Sequence, residues 1–243
     1  MTVETVLDAS AMAAVVTVLL GLLLKIVAGQ FQPVDPDGFR KGFKTRGLAM
    51  ELARGVHDVE LILGKENTWN REVMRQEQYV DFAFIVSYSA LFLLTAALLW
   101  QSHVRYGSFL AILVGVCAIG AAAFDVREDI FILKLTKQDL AHDKDRSEGL
   151  INSCRQSAIC KWSLLFAAMA FLSPLFWYGH WKGLEIIFGL AGILLALTGF
   201  CGLLSLTGDS VIERATKAMG VIMLLLTIIL CWAAFQPTRL FCV

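Results

Sequence analysis

The sequence predicts an all-α protein: a single membrane domain over residues 1–243, built as a helical bundle with six transmembrane helices and a cytoplasmic amphipathic helix. Three observations predict it. The side chains are 57% hydrophobic and only 17% charged, and the mean hydropathy is +0.67, far from the composition of a soluble domain. The apolar residues gather into stretches of the length a bilayer core demands, about 20 helical residues for about 30 Å. Lys and Arg are concentrated in alternate loops.

In chain order the expected spans are roughly 10–29, 80–100, 107–127, 161–179, 183–206 and 218–236, with cytoplasmic segments at 30–79 and 128–160. The first is preceded by MTVETVLDAS, which carries Glu4 and Asp8 and no basic residue. A cleaved signal needs a positive start, so this span is read as a retained helix. The second continues WNREVMRQEQYVDF into the membrane as one helix of about 30 residues. The fourth carries Pro174, whose missing amide predicts a kink. On the fifth, Gly189, Gly192, Ala196 and Gly199 form a seam of small residues, read as packing within the bundle in preference to dimerisation.

Direction follows from charge. The first loop holds Arg40, Lys41, Lys44, Arg46, Arg54, Lys65, Arg71 and Arg75, the third, taken as 127–161, holds seven basic residues, and the fifth holds Arg214 and Lys217. The second and fourth loops and the tail hold one each, Arg105, Lys182 and Arg239. The positive-inside rule then places odd loops in the cytoplasm and both termini outside, in a cell inner (plasma) membrane. Trp100, Trp177, Tyr178, Trp181 and Trp232 fall at the expected outer ends, where amphipathic rings favour the headgroup layer.

The first loop opens with FQPVDPDGF, where Pro33, Pro36 and Gly38 break any helix. Beyond it Leu48, Leu52, Val56, Val59 and Leu63 recur at helical steps and predict one amphipathic helix, with Glu51, Arg54, His57, Asp58 and Glu60 on its polar face. Gly64 is expected to end it and Asn67 or Thr68 to cap the next. The third loop mixes both signs of charge and is read as helical at both ends with a break near Asp143–Gly149, a solvated face or a docking surface.

The residues with chemical potential lie where the third span meets this loop, in FDVREDIFILKL. Ala111, Gly115, Ala118, Ala122, Asp125 and Asp129 follow one helix face, so the two carboxylates extend a seam of small residues that points into the bundle. Glu128 flanks that face and Arg127 points away. On the antiparallel second span Asp81, Ile85, Tyr88, Phe92 and Thr95 share a stripe, with Asp81 at a similar depth. Packing of the two helices assembles Asp81, Tyr88, Asp125, Glu128 and Asp129 into a candidate binding or structural cluster. Arg71, Arg75, Lys134, Arg155 and Lys161 are its candidate cations. Three uses are open: a salt-bridge network locking the spans, which the spacing favours, a ligand or headgroup site, and acid–base catalysis.

No cofactor and no metal-ligand motif is read from the chain. The D-x-x-x-D spacing of Asp125 and Asp129 lacks the rest of the CDP-alcohol phosphotransferase signature, and the aspartate sets of prenyl transferases are missing. His57, His103, His142 and His180 lie in loops or at edges, unsuited to haem. The six cysteines are scattered, and balanced charge, 21 against 21, offers nucleic acid no basic field. The expected partners are the lipid bilayer and a cytoplasmic protein met through 30–79 and 128–160.

The segments MELARGVHDVELILG, NREVMRQEQYVDFAFIVSYSALF and the helix ending DVRED together resemble a group of uncharacterised bacterial multispan membrane proteins. These carry a D-F-x-F-I-x-x-Y helix followed by a helix ending D-x-x-E-N, matched here by Asp81, Phe82, Phe84, Ile85, Tyr88, Asp125 and Glu128, with Asp129 in place of the asparagine. The resemblance covers roughly the first four spans and implies a membrane location and pairing of these two helices, without an activity. The leading functional reading is a non-enzymatic accessory or scaffold protein. Its alternatives are a lipid-acting interfacial enzyme or a lipid- or ion-binding protein using the carboxylates, and then a small-solute carrier, for which only Tyr88, Thr95 and Thr198 approach mid-membrane depth.

Overall fold

Each apolar stretch of the sequence lies in a helix, because a chain with too little polar surface to face water satisfies its backbone groups internally. The computed structural model describes residues 2–32, 43, 45–65, 68–102, 104–137, 144–178, 185–205 and 209–235. Among these are eight helices and no strand: α1 (Val3–Ala28), α2 (Arg46–Glu51), α3 (Val56–Leu63), α4 (Thr68–Gln101), α5 (Gly107–Lys137), α6 (Lys144–Tyr178), α7 (Glu185–Ser205) and α8 (Asp209–Ala234). Helices α1, α4, α5, α6 and α8 are long and apolar enough to cross a membrane. The fifth expected span corresponds to α7, in which the described side chains form the apolar segment Gly189–Leu204.

The six long helices form a closed ring in chain order, α1 on α4, α4 on α5, α5 on α6, α6 on α7, α7 on α8, and α8 back on α1. Consecutive helices joined by short connections pack side by side. Outward faces are apolar, with Leu19, Ile26, Val86, Ile112, Val116, Leu197, Phe200, Leu224 and Ile228 exposed, a belt suited to hydrocarbon. Trp100, Trp177 and Trp232 are exposed as well. Pro174 lies inside α6 and removes the amide that would reach Ala170; the Ser173 hydroxyl donates to that Ala170 carbonyl instead, at 2.8 Å. Of the small seam of α7, Gly192 and Gly199 pack within the bundle, against α6. A Cβ on Gly192 would stand 3.0 Å from the Ser173 carbonyl oxygen, and one on Gly199 2.7 Å from that of Phe166.

Two hydrophobic cores stack along the ring. One fills the bundle between α1 and α4–α8, with Leu91, Leu99, Val114, Phe166 and Phe176 buried. The other lies at the end where α2 and α3 sit, joining Leu48, Met50, Val59, Ile62 and Leu63 to Met74 of α4, Ile132 and Leu135 of α5, Ile151 and Ala158 of α6, and Ile212 of α8. Near this end the start of α4 is tied to the chain leaving α1: Asn70 accepts from the Gln32 amide at 2.8 Å and donates to the Gln32 carbonyl at 3.1 Å, and the Trp69 indole donates to Gln30 at 2.9 Å.

The structure corrects two local expectations. The apolar stripe from Leu48 to Leu63 is not one helix but two, α2 and α3, with Leu52–Gly55 between them; its apolar residues are buried against the bundle, while Arg54 and His57 are exposed. Gly64 does end α3, at φ 83°. In the third loop the break expected at Asp143–Gly149 is not there from Lys144 onward, since α6 begins at that residue. Pro33, Pro36, Gly38, Asn67 and Trp181, for which the sequence sets expectations, lie outside the described residues.

The α6–α7 contact yields a prediction. Gly199→Ala forces a methyl against backbone and is expected to cost about 1–3 kcal/mol, the usual penalty of overpacking. Gly189→Ala, where a Cβ meets nothing within 4 Å, is expected to leave the thermal unfolding midpoint in detergent unchanged.

Candidate functional site

Between the two cores runs a polar layer, readable along each helix. On α4 Met74 belongs to one core and Ile85 to the other, with Glu77, Gln78 and Asp81 between them. On α5 the interval between Ala121 and Ile132 holds Asp125, Glu128 and Asp129, and on α6 that between Ala158 and Leu165 holds Lys161. Helical periodicity puts Asp125 and Asp129 one turn apart on one face. Asp125, Glu128, Asp129 and Lys161 are all at most 4% exposed.

Lys161 is the hub. Its ammonium lies 2.8 Å from Asp125 Oδ1, 3.0 Å from Glu128 Oε1 and 3.2 Å from Glu51 Oε2. The Tyr88 hydroxyl donates to Asp125 Oδ2 at 2.8 Å, so α4, α5 and α6 are fastened through one carboxylate. The Trp162 indole donates to Glu51 Oε2 at 2.9 Å, and Lys161 also lies 5.0 Å from the centre of the Trp162 ring. Glu51 comes from α2, so these bonds fasten the cap as well.

All five sequence-proposed residues meet here. Asp81, Asp125 and Asp129 each present a carboxylate oxygen within 4.8 Å of the others. Of the proposed cations only Lys161 joins them. Arg71 donates to the carbonyls of Leu135 and Thr136, each at 3.3 Å; Arg75 pairs with Glu72 at 2.7 Å; Lys134 lies over the Phe131 ring. Two acids were missed. Glu51 falls on the outer face if the stripe is a single helix, and the break after α2 turns it inward. Glu77 approaches α2 so closely that its Oε1 would be 2.9 Å from a Cβ on Gly47. The available signal for Glu51 was the Lys161–Trp162 pair, an ammonium beside an indole at the edge of a span, which asks for an acceptor.

The charges do not balance. Among the described residues Lys161 is the one cation ion-paired to the layer, while Glu51, Asp81, Asp125, Glu128 and Asp129 surround it. Both oxygens of Asp129, Oε2 of Glu128 and Oε2 of Glu77 are buried without a hydrogen-bond partner, and the Asp125 Oδ1 contact with Lys161 is an ion pair without hydrogen-bond geometry. Buried carboxylates left in this state are costly. No protein family matches this chain, and no curated protein or solved structure matches it either.

Removing the hub is expected to be severe. Lys161→Met leaves Asp125 and Glu128 buried without their cation and is expected to lose about 3–5 kcal/mol, read by unfolding of the purified protein in detergent. Tyr88→Phe is expected to lose about 1–3 kcal/mol, and Glu128→Gln to recover part of the Lys161→Met loss, a non-additivity that marks direct coupling.

Proposed function

We propose that this chain is a six-span inner-membrane protein, both termini outside, that binds a cationic species in the carboxylate layer at the cytoplasmic end of its bundle, beneath the α2–α3 cap. The observation carrying this reading is Asp129. It is 1% exposed, neither oxygen has a hydrogen-bond partner, and the neighbouring ammonium pairs with Asp125, Glu128 and Glu51. A network that served only to lock helices has no use for a further carboxylate it must hold apart from any donor. An added positive charge removes that cost.

Docking of a protein partner has less support. It is left with the charged surfaces of 30–79 and 128–160, since the apolar stripe Leu48, Val59 and Leu63 is buried in the chain's own second core. The orientation rests on the basic loops and predicts that a reporter active only in the cytoplasm, fused within 138–143, gives signal, whereas the same reporter fused at Arg105 gives none.

The cation reading is tested by thermal unfolding in detergent against sodium, potassium, ethanolammonium and magnesium at matched ionic strength. At least one is expected to stabilise the wild-type protein, by about 2.7 kcal/mol at a hundred times its dissociation constant. Asp129→Asn is expected to abolish that response and to unfold at the same or a higher temperature. A wild-type protein indifferent to every cation, with a destabilised Asp129→Asn, would leave the lock as the layer's role.

A further inference from the structure

We infer that Asp81, Asp125 and Asp129 form a binding site for one hard divalent cation of the magnesium, manganese or calcium kind. This rests on the cation reading above and names the ion class that the layer takes.

Geometry comes first. The three aspartates, one from α4 and two from successive turns of α5, bring one oxygen each within 4.8 Å of one another. A dication bound to oxygen at about 2.1–2.4 Å holds opposite ligands about 4.2–4.8 Å apart and adjacent ones closer. Three oxygens inside that limit can therefore ligate one ion after side-chain adjustment alone. The bare oxygens of Asp129 are the second observation: a carboxylate 1% exposed, directed at two others, with no donor of its own.

Charge and donor type narrow the ion. Lys161 is already committed to Asp125, Glu128 and Glu51, so the half of the layer formed by Asp81 and Asp129 lacks a cation. Asp81, Asp125, Glu128 and Asp129 exceed Lys161 by three negative charges when ionised, and a dication removes two where a sodium ion removes one. All the donors are carboxylate oxygens. The nearby thiol of Cys154 is directed at the Glu51 carbonyl at 3.9 Å, and the one histidine whose surroundings are described, His57, is exposed on α3. Oxygen-only donors suit hard ions and disfavour zinc or copper. Tyr88 serves the site indirectly, since its hydrogen bond to Asp125 Oδ2 orients that ligand. Three protein ligands leave the remaining positions to water, the usual habit of magnesium and manganese.

The test uses the full chain in detergent, stripped with chelator and titrated with manganese while free ion is followed by electron paramagnetic resonance. The expected result is one bound manganese per chain, displaced by magnesium, with affinity falling at least about tenfold in Asp129→Asn and in Asp81→Asn, and less in Tyr88→Phe. Should either variant not fold, the stoichiometry and magnesium competition of the wild-type protein decide the matter, together with the remaining variant. Absence of manganese binding, or binding unaffected by both asparagine variants, overturns the site. If sodium or ethanolammonium still stabilises the protein through Asp129 while manganese does not bind, the divalent assignment fails and the cation reading stands. If no cation acts, both fail.

Discussion

One buried ammonium organises this molecule. Lys161 lies where α4, α5, α6 and the α2–α3 cap converge, and through Asp125, Glu128 and Glu51 it connects elements that are far apart in sequence. An ammonium so enclosed is tolerable only because three carboxylates take the place of its water. The requirement runs in both directions, since the acids of α5 need the cation as much as it needs them. The polar layer thus fixes the register of α5 against α6, where apolar packing alone would tolerate slippage by a turn.

The layer also separates two kinds of packing. On one side the ring presents apolar side chains outward and small residues inward, with Ala118 and Ala121 of α5 and Gly192 and Gly199 of α7 letting backbones approach. On the other side α2 and α3 cover the helix ends with Leu48, Met50, Ile62 and Leu63, an apolar contact of the sort made in water. The charged centre lies between the two cores and is covered from solvent, with Lys161, Glu128 and Asp129 buried. Its field then depends in part on the cap, through Glu51.

Much of this was legible in the sequence, for identifiable reasons. The helical period along FDVREDIFILKL places Asp125 and Asp129 on the inward face beside Ala118, and that face is buried; the stripe from Asp81 through Tyr88 and Thr95 pairs with it. Such faces are local properties of a regular helix. What escaped depended on departures from regularity. Glu51 was assigned to solvent because Leu48, Leu52, Val56, Val59 and Leu63 keep helical spacing across Leu52–Gly55, where the chain in fact leaves the helix. Lys161 was one of five candidate cations, and choosing among them required knowing how α6 is rotated against α5, a matter of tertiary packing. The cap adds Glu51 to a surplus of acid that Asp81, Asp125, Glu128 and Asp129 already make against Lys161.

The cap has a consequence for biogenesis. Residues 46–63 leave the ribosome after the first membrane helix, well ahead of Ile132, Leu135, Ile151, Ala158 and Ile212, the surfaces they finally cover. For that interval Leu48, Leu52, Ile62 and Leu63 lack the apolar surfaces that finally cover them. Closure of the lid is thereby a late event in assembly, delayed until the hairpin of α5 and α6 has been laid down.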